Sequence, residues 1–346
     1  MPGVVTDEDT IPDRPAAMHV LSLYTMLTEA SDRAEEEDGT SDALEEELLS
    51  YDPATIVQEE VVYDGGRLEK LLTALRAEDF KLTSSQRRKA EKIIAKHQKA
   101  FNLKGEPLGC TSMVQHRVDT AGAQPVRQKL RFTPYHARPA LEKELESLLQ
   151  QGQIRPSTSP WNSAIVLVKR KDGRIRLCTD YRGVNQVTVP TWYPLPLIED
   201  ILYTVSGAVV YSCLDLRSGY HQIKIDPDSI PKTAFSTHLG QFVYTRMPFG
   251  LCGSPATFQA LMNVIFRGLL GKGVAVFLDD ICVSSENVDE HLTKLETVLA
   301  RLEGANLQIS PEKTFLFQHY VQLLGHQVGH GSVRPVDDKV EAIAAL

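Results

Sequence analysis

Val274-Ala275-Val276-Phe277-Leu278-Asp279-Asp280-Ile281-Cys282-Val283 is the stretch on which the reading of this chain turns. Two adjacent carboxylates stand between two short apolar runs rich in β-branched residues, the pattern of a tight β-hairpin. Acids crowded at a strand turn repel each other and gain nothing from burial, so a cation is the natural reason to keep them together. A divalent metal ion is the leading candidate.

Working outward, Ser254-Pro255 reads as the cap and first turn of a helix whose buried face is Phe258, Leu261, Met262, Ile265 and Phe266. After the hairpin, a second amphipathic helix is predicted from about Asp289, with Leu292, Leu295, Val298, Leu299 and Leu302 inward and Gly304 at its end. A strand over residues 307–309 should follow. Further upstream, residues 209–216 form an apolar strand that delivers Asp215 at its end, 64 residues before Asp279. The order strand, helix, acidic hairpin, helix, strand predicts an α+β fold, an antiparallel sheet with helices on one face. Such a topology can place Asp215 beside Asp279 and Asp280. Two divalent ions roughly 3.5–4 Å apart can clamp the attacking and leaving oxygens of a phosphoryl displacement, and hard oxygen ligands select magnesium.

The rest of the 346-residue chain bounds the answer. A hydrophobic content of 42% and a charged content of 24% are ordinary for a globular protein. No apolar run approaches the roughly 20 residues of a membrane helix, and the N-terminus is acidic rather than a basic-then-apolar signal, so an intracellular, cytoplasmic location without membrane partners is expected. Cys110, Cys178, Cys213, Cys252 and Cys282 include no C-x-x-C pair, which argues against a zinc site or a disulfide framework. The net charge of -8 divides unevenly: residues 1–60 hold 2 basic and 17 acidic residues, a net of -15, leaving +7 for residues 61–346. The first 60 residues therefore read as an acidic, largely disordered tail or linker. The basic remainder is compatible with a phosphate backbone as partner.

Residues 61–137 read as helical and then extended: Leu68, Leu71, Leu72 and Leu75 line one face, Ser84-Ser85 caps a basic helix ending near Phe101, and residues 102–137 are punctuated by Pro and Gly. Leu141, Leu145, Leu148 and Leu149 form another helical stripe, stopped by Gly152. Residues 164–168 and 175–179 are strands joined through Asp172-Gly173.

Other acid-bearing motifs fail on spacing. Gly271-Lys272-Gly273 runs straight into the hairpin strand, whereas a phosphate loop needs G-x-x-x-x-G-K-[ST] followed by a helix. Asp119-Thr120-Ala121-Gly122 breaks the Asp-Thr-Gly turn of an aspartic protease, and no integrase-like zinc pattern is present.

Several blocks in order resemble the reverse transcriptases of gypsy-type LTR retrotransposon Pol polyproteins. They are Ser159-Pro160-Trp161-Asn162-Ser163; Lys169 through Asp172 with Arg176 and Asp180-Tyr181-Arg182; and Leu214-Asp215-Leu216-Arg217-Ser218-Gly219-Tyr220. Met247-Pro248-Phe249-Gly250-Leu251 with Pro255-Ala256-Thr257-Phe258-Gln259, the Phe277-Leu278-Asp279-Asp280 box and Leu324-Gly325-His326 complete the set. The resemblance implies a right-hand polymerase: fingers over residues 138–208, a palm over 209–330 with part of the fingers at about 228–247, and the start of a thumb at 331–346, with no protease, RNase H or integrase domain.

It implies that Asp215 and Asp279 are the principal metal ligands, supported by Asp280, for two Mg2+ ions with Mn2+ able to substitute. Tyr220 falls where the family keeps a steric gate against the 2′-hydroxyl. Arg176 and Arg170, with Lys169 and Lys171, fall where the triphosphate is held, and Phe249 stands beside the nucleotide. Leu323, Leu324, Gly325 and His326 coincide with the primer grip, and Trp161 and Asn162 with a template-contacting segment. An ordinary core tryptophan is the competing reading for Trp161. The implied partners are an RNA or DNA template with its primer, deoxynucleoside triphosphates and other Gag or Pol parts, within cytoplasmic virus-like particles. An inactive retroelement remnant that binds nucleic acid or plays a structural part is the alternative.

Overall fold

The computed structural model describes residues 65–169 and 175–335. The acidic tail, the hairpin tip with Arg170 and Lys171, and residues 336–346 of the expected thumb lie outside the described residues, and at Lys169 only the backbone is described.

The elements run in the order α1 (Gly65–Ala74), α2 (Ser84–Lys96), β1 (Thr111–His116), α3 (Arg138–Gln150), β2 (Ile154–Pro156), β3 (Ala164–Lys169), β4 (Ile175–Asp180), α4 (Arg182–Asn185) and α5 (Ile198–Val205). Then come β5 (Val210–Asp215), β6 (Ile223–Ile225), β7 (Phe235–Thr237), β8 (Gly240–Tyr244), α6 (Ser254–Ile265), β9 (Val274–Phe277), β10 (Asp280–Ser285), α7 (Val288–Gly304), β11 (Phe315–Gln318), β12 (Tyr320–Leu323), β13 (His326–Gly329) and β14 (Ser332–Pro335).

The sheet that carries the acids has the order β11-β5-β10-β9, with every neighbouring pair antiparallel. Period-2 alternation assigns its faces. On α7, buried His291 is bonded to Ser212 of β5 at 2.7 Å and to Ser285 of β10 at 3.3 Å, so α7 covers the face presented by alternate residues of those strands. Asp215 and Asp280 point from the opposite face.

Both predicted helical stripes are buried: Leu292, Leu295, Val298, Leu299 and Leu302 on α7, and Phe258, Leu261, Met262, Ile265 and Phe266 on and just after α6. On α6 every residue from Ser254 to Ile265 except Asn263 is buried, so this helix is wrapped on all sides rather than along one stripe. The caps differ from expectation. Helix α2 is capped by Thr83 in a capping box with Gln86 rather than by Ser84-Ser85, and α6 starts from Gly253, with the Ser254 hydroxyl turned back to the Pro248 carbonyl.

The expected strand over residues 307–309 reduces to two isolated bridges from Ile309, to Phe101 and to Leu216, and the edge of the sheet is supplied by β11 instead. The N-terminal helices are not a separate layer. Leu71, Leu75, Phe80, Ile94 and Phe101 belong to the same apolar cluster as Leu214, Ile281 and Leu299. Lys89–Asp289 at 2.9 Å and Lys96–Glu296 at 2.7 Å tie α2 to α7 across the surface, but such exposed pairs add little next to that burial.

Candidate active site

Asp215 and Asp280 lie directly opposite each other across β5 and β10, and Asp280 also pairs with Phe277 of β9. Leu278 and Asp279 therefore form a two-residue turn. Leu278 has φ 53°, the positive first position that such a turn demands and that a leucine seldom adopts. The strained residue is held. Its N–H donates to Oε1 of fully buried Gln259 at 2.8 Å, and the Gln259 amide donates to Asn263 at 2.9 Å.

The three carboxyl groups are all pushed above the usual carboxylate range. Burial is the main cause for each. Asp280 rises furthest, to about 7, through burial and then the charges of Asp279 and Asp215. For Asp279 burial is partly offset by its own backbone N–H, and Asp215 pushes upward again. The compensating cation in contact is Lys313, whose Nζ stands 3.2 Å from Asp215 Oδ1 and 3.3 Å from Oδ2. Three acids facing one exposed ammonium leave an excess of negative charge that suits a divalent cation. Asp215 Oδ1 makes no well-directed hydrogen bond, which leaves it available as a donor. Among the described residues no three His, Cys, Asp or Glu side chains converge on one point, so a cation here would take part of its shell from water or substrate oxygens.

Beside the acids lies a cluster of aromatic residues. Tyr220 packs edge-on to Phe249 at 5.0 Å and against Phe258 at 5.2 Å. Its hydroxyl is buried with no hydrogen-bond partner, and burial followed by the Asp279 charge pushes it well above the ordinary phenol range. Phe249, 39% exposed, also meets His221 at 5.4 Å, and the Arg176 guanidinium lies 4.6 Å over its ring. Arg176 comes from β4, so this stack joins the β3–β4 hairpin to the acid-bearing sheet. Gly219 leaves little room: a Cβ there would stand 3.0 Å from the Phe258 ring, which would have to give by a few tenths of an ångström, and 3.4 Å from Asp279, an ordinary contact.

Comparison with known proteins agrees with this geometry. Residues 168–328 match the family described as reverse transcriptase (RNA-dependent DNA polymerase). The chain carries a reverse transcriptase domain. It is 36% identical over 262 residues to the retrovirus-related Pol polyprotein from transposon 297 of Drosophila melanogaster, covering 74% of this chain and 25% of that one. The Pol polyprotein from transposon gypsy of the same organism is 34% identical over 271 residues, 77% of this chain and 26% of that one. The chain thus spans about a quarter of these relatives' length. Among solved structures, the foamy viral protease-reverse transcriptase in complex with an RNA/DNA hybrid superposes with a TM-score of 0.73 at 26% identity, covering 83% of this chain and 38% of that one. The same viral protein in complex with double-stranded DNA also gives 0.73, over 84% and 60%.

Within the reverse transcriptase domain, the structure brings Asp215, Asp279, Asp280, Tyr220, Phe249 and Arg176 together. Leu323, Leu324, Gly325 and His326 form a separate feature, the tight turn between β12 and β13, where Leu324 and Gly325 have φ 49° and 76°. Trp161 and Asn162 lie on a packed segment away from the acid turn. Trp161 is 6% exposed, and Asn162 donates to the Gln128 carbonyl while accepting from Ser236 and Gln241, so both side chains serve the core.

Sequence reasoning missed Lys313 and the positioning role of Gln259. Lys313 follows Pro311 in a short 3-10 turn and carries no motif of its own. Gln259 did carry a signal, as an amide at a position flanked by Phe258 and Leu261 that the helix buries.

Proposed function

We propose that this chain catalyses template-directed DNA synthesis, transferring a deoxynucleotide from its triphosphate to a primer 3′-hydroxyl on an RNA or DNA template. The observation that carries the reading is the placement of Asp215 opposite Asp280, with Asp279 in the turn and the Tyr220–Phe249–Arg176 stack alongside. The sheet and its helices correspond to a palm, and the β3–β4 hairpin to fingers.

Asp215 and Asp279 would be the oxygen donors for two divalent ions, Mg2+ or Mn2+, supported by Asp280 opposite Asp215. Bound there, such ions supply Lewis-acid stabilisation of charge on the phosphoryl oxygens and a more acidic primer hydroxyl. Arg176, fixed on the face of Phe249, holds the triphosphate and stabilises charge as pyrophosphate leaves. Lys169, Arg170 and Lys171, which precede it in sequence, are further phosphate contacts. Tyr220, wedged between Phe249 and Phe258, cannot swing away and closes the space that a 2′-hydroxyl needs. The Leu323–His326 turn supports the primer end. Template, primer and nucleotide are the partners, in a cytoplasmic particle with other retroelement products.

Primer extension on an RNA template with Mg2+ or Mn2+ tests this. Extension by the chain, abolished by Asp279→Asn and by Asp215→Asn, is the expected result. Primer–template binding with no extension above the Asp279→Asn control overturns the reading in favour of a nucleic-acid-binding remnant.

A further inference from the structure

Cys213 on β5 and Cys282 on β10 are paired directly opposite each other, with their sulfurs 3.7 Å apart in an S–H···S contact. The ladder places them at a special kind of position. The Leu216 N–H reaches the Asp279 carbonyl, so Asp215/Asp280 is a pair that exchanges no backbone hydrogen bonds with itself; alternation makes Leu214/Ile281 the bonded pair and Cys213/Cys282 again a non-bonded one. At non-bonded pairs the Cα atoms approach to about 4.5 Å, within the roughly 4.4–6.8 Å span that a disulfide bridges. The same alternation puts both sulfurs on the face that carries Asp215 and Asp280, one pair further along the same two strands.

We propose that Cys213 and Cys282 are a reversible oxidation site whose disulfide locks the two strands beneath the acids and disturbs the metal seat. Cys213 is the more exposed residue of the two and Cys282 is buried. The hydrogen bond to Cys282, then burial, pushes the Cys213 thiol well above the usual range, so its thiolate is scarce and its oxidation is slow. The Cys213 sulfur attacks one peroxide oxygen, the O–O bond breaks, and Cys213 sulfenic acid and one water form. The Cys282 sulfur then attacks the sulfenic sulfur, the S–OH bond breaks, and a second water leaves. Both thiol protons end in water, the sulfur pair is oxidised by two electrons and the peroxide is reduced by two. A dithiol reverses the step by exchange. Closing the bond draws the sulfurs from 3.7 Å to about 2.04 Å, about 0.8 Å for each sulfur, and fixes the spacing of the two strands only two residues from Asp215 and from Asp280. Misplacement by about 1 Å in a reacting site is worth roughly a hundredfold in rate.

The effect on synthesis rests on the polymerase reading, whereas the cross-link and the metal seat are measured without it. The whole chain is treated with hydrogen peroxide under chelation, alkylated, digested and mapped by mass spectrometry. One intramolecular peptide pair joining residues 213 and 282 is expected, two thiols lost to alkylation, both restored by dithiothreitol, and no such pair in Cys282→Ser. After removal of peroxide and chelator, Mn2+ titration by calorimetry should show at least tenfold weaker binding in the oxidised chain, and primer extension should fall at least tenfold, with Cys282→Ser resistant on both counts. Residues 213 and 282 left alkylatable, or joined to other cysteines, overturn the site. A complete 213–282 cross-link with unchanged Mn2+ affinity overturns the lock. A reduced chain that binds Mn2+ but never extends a primer contradicts only the polymerase reading.

Discussion

The backbone N–H of Leu278 is tied to the side chain of Gln259 at 2.8 Å, which makes a buried amide on helix α6 the support of the turn that aims Asp279. The tie continues through Asn263 to the Tyr193 hydroxyl at 2.8 Å. A leucine at positive φ costs roughly 1–2 kcal/mol, and the turn keeps that conformation because its N–H has one well-placed acceptor. Gln259→Ala should therefore destabilise the fold by about 1–3 kcal/mol in urea unfolding and lower single-turnover extension at least tenfold with little change in nucleotide KM. Loss of stability with an unchanged rate would show that Gln259 supports the core alone.

Tyr220, the proposed gate against the 2′-hydroxyl, carries a buried hydroxyl with no hydrogen-bond partner. Tyr220→Val opens the space beneath the sugar, and the ratio of kcat/KM for deoxynucleotides over ribonucleotides should fall by about a hundredfold or more. Tyr220→Phe keeps the ring and removes a buried unsatisfied group, so thermal unfolding should show a gain of about 1 kcal/mol with sugar selectivity retained.

Lys313, 68% exposed, competes with any cation for Asp215. Lys313→Met removes that competitor, and calorimetric titration should show Mn2+ binding tightened about three- to tenfold, more at low than at high salt. Weaker Mn2+ binding in the variant would mean that the lysine orders the acids instead of competing for them.

His291 carries a pH dependence remote from the acids. Burial, then the Lys294 charge, lowers it to about 3 from an ordinary value near 6.5. The unfolded chain takes up this proton first on acidification, so the contribution to stability is complete above about pH 6.5 and is lost as pH falls toward 3. The full window corresponds to on the order of 3–5 kcal/mol. Urea melts from pH 7.5 to 4.5 should show a shallower acid slope in His291→Gln than in the parent, even though that variant also starts lower because the Ser212 and Ser285 bonds change.

Much of this arrangement was legible in the linear pattern. The inward residues of α7 and the acidic hairpin follow directly from periods of 3.6 and 2, and Asp215 was legible because it ends an apolar strand. The edge strand was not. Phe317 sits at φ 53° inside β11, and the register with β5 shifts between Phe315 and Gln318, so the alternation that would mark a strand is broken. Trp161 read nearly equally well as a template contact or a core residue, because an indole suits both, and only the tertiary structure shows that its ring is buried.

By itself the sequence determined the elements and the acid turn, because hydrophobic period, turn chemistry and charge crowding are local properties of neighbouring residues. Tertiary structure alone decided which distant groups share the site: Lys313 against Asp215 across 98 positions, Arg176 stacked on Phe249, Cys213 facing Cys282, and Gln259 beneath Leu278. The physical reason is that electrostatic and packing energies depend on separation in space, and separation in space is set by sheet register and helix docking rather than by distance along the chain.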